Sequence, residues 1–178
     1  MKKRKIWQRM LLVCLIGLYT GGGVCFSADR DRTLVVLDKY ISRMNDLMIS
    51  SNQLILYKIK QLDKSKSEPE MIELRVFNIN LEICKDFQIM AEKYYIYLSW
   101  LKDLYSIQQK CQRGDMSAVA NEQIDKLNSI LMKNLDFDIQ EYIPEFNKDI
   151  TDIDVSDFSN KLRKVLKGVK DCLFTQQK

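Results

Sequence analysis

Histidine is absent from all 178 residues, and that absence removes more chemistry than any motif present supplies. Ser-His-Asp and Cys-His nucleophilic systems, His zinc sites and His-ligated haem all require an imidazole. No P-loop, G-x-G-x-x-G or C-x-x-C pattern occurs either. What remains for chemistry is carboxylates, amines, phenols and thiols, and none of these is arranged so as to imply a cofactor.

The carboxylates concentrate between Asp136 and Asp157. Asp136, Asp138, Glu141, Glu145, Asp149, Asp152, Asp154 and Asp157 share this stretch with a single Lys148. Its end, Asp149-x-x-Asp152-x-Asp154-x-x-Asp157, offers the hard oxygen ligands that suit Ca²⁺, but it lacks the glycine turn and terminal Glu of an EF-hand loop. The plainer reading is a solvated acidic loop whose last members favour the N-terminus of the following helix. Two of these carboxyls facing each other across a cleft, one with a raised pKa, would make a cell-wall glycosidase; this is the enzymatic alternative.

The amines crowd the last helix as Lys161, Arg163, Lys164, Lys167 and Lys170. An anionic membrane surface or an acidic partner would suit Lys161, Lys164 and Lys167, and so would plain exposure to water next to the acidic stretch. The phenols and indole gather as Tyr94, Tyr95, Tyr97, Trp100 and Tyr105. Positions 94, 95, 97 and 100 spread around a helix, so some must be partly exposed, and Tyr94, Tyr97 and Trp100 become candidate interface anchors. An amphipathic rim around the core is the competing reading.

The N-terminus has the layout of a signal peptide. Lys2, Lys3, Arg4, Lys5 and Arg9 form a positive region, Met10 to Tyr19 an apolar one, and Gly21 to Ser27 a run of mostly small residues, with cleavage expected after Ser27. An uncleaved membrane anchor is the alternative. The first 27 residues hold five positive charges and no negative ones, so the net +4 of the chain becomes about −1 in residues 28–178. Nucleic-acid binding, which needs a basic footprint on the folded domain, loses its support. Export to a bacterial periplasm or the exterior also permits oxidation of Cys84, Cys111 and Cys172.

These groups need elements to hold them, and the pattern is helical throughout. The expected fold is all-α: an antiparallel bundle of about four helices, built on one very long central helix and forming a single domain over 28–178. Helices are expected at about 31–62, 68–113, 116–134 and 157–174, with an acidic connection over 136–156. The central helix opens on a capping box at Ser67-Glu68-Pro69-Glu70 and ends at Gly114. Leu74, Phe77, Leu81, Cys84, Gln88, Ala91, Tyr95 and Leu98 form one seam. Ile83, Phe87, Met90, Tyr94, Tyr97, Leu101, Leu104, Gln108 and Cys111 form a second. Two adjacent seams demand at least two neighbours at once.

The remaining stripes supply those neighbours. Leu34, Leu37, Ile41, Met44, Met48, Ser51, Ile55 and Leu62 mark the first helix, and Met116, Ala120, Ile124, Leu127 and Leu131 the third. Phe158, Leu162, Val165, Val169 and Cys172 mark the last, with Ser156 as its cap. In the acidic connection Pro144 interrupts any continuous helix, and a loop with one short helix is expected, anchored by Phe137, Tyr142, Ile143 and Phe146. A last helix returning to the top of the central one brings Cys172 to Cys111, predicting a disulfide there with Cys84 as a buried free thiol. Closing that loop would stabilise the fold by about 4 kcal/mol. A break is expected at Asn78 and Asn80, and the overhang of the central helix points to a bend or to a homodimer. The function expected is that of an exported, non-enzymatic bundle acting through contacts with a protein partner.

Overall fold

The computed structural model describes residues 2–64, 71–110 and 115–174, with side chains described from Arg32 onward and excepting Lys64, Met71, Ile72 and Asp115. It is an all-α antiparallel bundle. The elements are α1 (Lys2–Lys64), α2 (Met71–Lys110), α3 (Asp115–Phe137), a π-helical turn (Asp138–Tyr142), α4 (Ile143–Phe146) and α5 (Ile153–Phe174). The leader and its cleavage point after Ser27 fall in the part of α1 whose side chains are outside the described set. The capping box at 67–70 and the stop at Gly114 also lie outside the described residues.

Both seams of α2 are buried, which is why this 40-residue helix, about 60 Å long, sits at the centre. Ile83, Phe87, Met90, Tyr94 and Leu101 come from one seam and Cys84, Ala91 and Leu98 from the other, all within the core. α1 runs antiparallel to α2, tied by Lys102 to Asp38 at 2.6 Å and by Gln88 to Asn52 at 3.0 Å. Leu37, Met44 and Ser51 of the expected α1 stripe are buried, joined by Tyr40 and Leu47.

The acidic connection is more helical than expected. Beyond one short helix in a loop, α3 passes through the π turn into α4, so that one nearly continuous rod descends most of α2. Gln108 meets Asn121 near its top, Tyr94 meets Asp138 in the middle, and the Phe87 ring lies 5.9 Å from that of Phe146 lower down. Pro144 causes the widening: a regular helix would drive its ring against the carbonyl four residues back. The N–H of Ile143 instead reaches the carbonyl of Asp138, an i to i−5 bond, and Pro144 falls within the first turn of α4, where no N–H is needed. The eight carboxylates therefore lie largely on helix.

Asn80 does not break α2. It is 6% exposed, and its amide Nδ2 donates to the carbonyl of Val76 and to Thr151 Oγ1, while its Oδ1 accepts from the backbone N–H groups of Thr151 and Asp152. That one side chain clamps the α4–α5 turn. α5 then starts at Ile153, earlier than expected, because Asp152 caps it in place of Ser156. Asp152 Oδ1 accepts from the N–H groups of Asp154 and Val155, and its carbonyl takes the first helical bond, from Ser156. α5 returns antiparallel to α1 and buries Val155, Phe158, Ser159, Leu162, Leu166 and Val169.

Candidate interaction surface

The aromatic residues of α2 divide by depth. Tyr94 is fully buried, so the expectation that it contacts a partner is corrected: it belongs to the second seam and faces the π turn. Its hydroxyl donates to Asp138 Oδ2 at 2.6 Å, and Lys93 Nζ donates to the same oxygen at 2.6 Å. The Lys93 ammonium lies 4.8 Å from the Tyr94 ring centre, adding a cation–π contact. Burial, then the hydrogen bond to Asp138, pushes the Tyr94 phenol far above its ordinary pKa. Outward from Tyr94 the rings continue through Tyr97, half-buried at 6.4 Å, to Trp100, a further 6.4 Å away. Trp100 is 57% exposed.

Trp100 has company that sequence reasoning missed. Ile89, Ile96 and Ile107 are also exposed on α2, on the side opposite its buried seams. Their spacing with Trp100 is seven, four and seven residues, which puts all four on one line along the helix. The signal was present in the sequence, masked by the greater number of apolar residues on the two inner seams. Beside that line, Trp100, Leu104, Leu127 and Ile130 edge a groove of about 470 Å³ between α2 and α3, with Asp103, Gln123 and Lys126 at its rim. Val119, likewise exposed, extends the apolar character along α3.

The other candidates stand apart from this face. Lys161, Lys164 and Lys167 are exposed along α5. Asp152 and Asp154 are drawn to Lys58, whose Nζ lies 2.7 Å from Asp152 Oδ2 and 2.8 Å from Asp154 Oδ2, while Asp149 and Asp157 are exposed. Among the described residues no group of three or more metal-ligating side chains occurs. Although burial opposes it, the Lys58 ammonium and two backbone N–H groups hold Asp152 below the usual carboxylate range. A general acid requires the reverse.

Lys58 and Asp152 also edge a cavity of about 360 Å³ at the end of the bundle, with Ile55, Phe77, Asn80, Cys84 and Val155 in its walls. Burial raises the Cys84 thiol to about 11, far from the reactive range.

The predicted disulfide is not seen. Cys111 lies outside the described residues, and Cys172 is a free thiol whose Sγ is 3.4 Å from Tyr40 Oη. α5 packs its end against α1, and Gly168 makes room for the Tyr40 ring: a Cβ there would lie 2.5 Å from the phenol oxygen.

Among the described residues no helix is long and apolar enough to cross a membrane. No protein-family model matches the chain, and comparison with curated proteins and with solved structures finds no significant match.

Proposed function

We propose that this chain is an exported, non-enzymatic helical bundle that works by binding protein at the outer face of α2 and the α2–α3 groove. The observation that carries the reading is the exposed line Ile89, Ile96, Trp100 and Ile107. Scattered apolar residues are ordinary on a protein surface, but four on one helical line with a large indole at its centre make a binding stripe. Three of the eight clustered carboxylates are engaged in holding the bundle: Asp138 by Tyr94 and Lys93, Asp152 and Asp154 by Lys58.

Two measurements test this. A photo-crosslinking amino acid at position 100 should give discrete covalent adducts in the producing cell, and the same group at Lys161 should give none. Equal labelling at both positions would remove the basis for a binding face. The mass of the chain in membrane and soluble envelope fractions tests export, since cleavage after Ser27 predicts a product beginning at Ala28.

A further inference from the structure

We infer that the partner of this face is a second copy of the chain, docked antiparallel through α2 about a two-fold axis level with Leu98. The inference rests on the reading of the α2 outer face as a docking surface and names its occupant. The exposed line does more than repeat every three or four residues: it is symmetric. Ile89 and Ile107 lie nine residues either side of position 98, and Ile96 and Trp100 lie two residues either side. A two-fold axis requires that if residue i of one copy meets residue j of the other, then j also meets i. Here the axis sets Ile89 on the partner's Ile107 and Ile96 on the partner's Trp100, twice each, with apolar side chains at every meeting.

Two charges flanking the line obey the same rule with opposite signs. Lys93 and Asp103 lie five residues either side of position 98, one on each flank of the line. Antiparallel docking brings each cation level with the partner's anion, two charge pairs in all. A parallel arrangement would set each residue against itself, with Lys93 on Lys93 and Asp103 on Asp103, which repels. Lys93 already donates to Asp138, but its side chain is 35% exposed and an ammonium carries three donors. From Ile89 to Ile107 the line is about 27 Å long, ample for a helix-on-helix seam with the α3 residues Val119 and Ile130 flanking it.

Sedimentation equilibrium of the chain as recovered from the cell, between 1 and 200 µM, is the direct test. The expected result is twice the chain mass, with Ile89→Glu weakening association at least tenfold and the double variant Ile89→Glu with Ile107→Lys restoring it. Restoration distinguishes a facing pair from a general charge effect, and both residues lie off the core, so the fold is spared. Orientation is read by cysteine pairing. Ile89→Cys chains mixed with Ile107→Cys chains should crosslink through those positions, whereas either alone should not. Crosslinking of Ile89→Cys with itself would overturn the antiparallel arrangement, and so would a double variant that fails to restore association. A monomer at 200 µM that still gives position-100 adducts with another protein overturns the homodimer and leaves the docking face standing. A monomer with no adducts removes both.

Discussion

The hydroxyl of Tyr94 donates to Asp138 Oδ2 across 2.6 Å, joining the middle of α2 to the widened turn below α3. Asp138 is 4% exposed, so its carboxylate depends on that bond and on Lys93 to replace water. Tyr94→Phe leaves the ring packed and removes one donor, and should cost about 1–3 kcal/mol in urea unfolding. Lys93→Met removes a donor that stands partly in water and should cost less. Equal losses would mean that the phenol contributes nothing particular to the turn.

Asn80→Ala should be costly for the loss of one amide, about 2–3 kcal/mol, because it strands the N–H groups of Thr151 and Asp152 together. Amide exchange at those two positions should accelerate well before global unfolding. Unchanged exchange at Thr151 would show that the clamp is dispensable.

Stability should decline on both sides of neutrality, for separate reasons. Asp152 is held below the usual carboxylate range, opposed by burial and favoured by Lys58. Its stabilising contribution is present above about pH 4 and is lost as pH falls through the lowered value. Tyr40 is pushed up to about 12, by burial first and then by its hydrogen bond with Cys172. Its contribution is present below about pH 10 and is lost as pH rises toward 12. Urea midpoints taken from pH 2 to 12 should show both limbs. Lys58→Met should flatten the acid limb, and Tyr40→Phe should lessen the alkaline one while leaving the acid limb in place.

Gly168→Ala sets two effects against each other. Helix propensity favours Ala by about 1 kcal/mol. Against that, the new methyl would lie 2.5 Å from the Tyr40 oxygen and 3.1 and 3.2 Å from two ring carbons, and overpacking of this kind costs about 1–3 kcal/mol. The net expected is a destabilisation of about 1 kcal/mol. In a Tyr40→Phe background the closest contact is gone, and the same substitution should become neutral or favourable. Additive effects in this double-mutant cycle would contradict the packing described.

Thiol labelling should separate the two described cysteines. With Cys84 at about 11, roughly one thiol in a thousand is ionised at pH 8. Cys84 is also buried, so in mass-mapped alkylation it should lag Cys172 by at least a hundredfold and catch up only in denaturant. Early labelling of Cys84 would show that the end cavity opens readily.

Repeat spacing carried most of the fold. The two seams of α2, the α1 stripe from Leu37 to Ser51 and the α5 stripe from Phe158 to Val169 could be read because burial on a helix recurs every three or four residues. Two features escaped it for different reasons. Asn80 read as a break because its partners are Thr151 and Asp152, more than 70 residues away, where no local pattern reveals them. Pro144 read as an interruption because a π turn just ahead of it cannot be seen in residue types. The candidate face was half legible: Trp100 stood out by type, whereas Ile89, Ile96 and Ile107 gained meaning only once the inner seams were assigned and their side of the helix was left facing outward.

The latching of α5 onto α1 has a consequence for how the molecule is made. Lys58 grips Asp154 at one end of that contact and Tyr40 meets Cys172 at the other, so the earliest helix is completed by the latest, over separations of 96 and 132 residues. A chain emerging N-terminus first from a ribosome cannot close its core until α5 is out. Until then Leu37, Met44 and Phe87 lack one wall of their enclosure. Residues 153–174 are thus the keystone of the bundle, and the core closes only once they have been made.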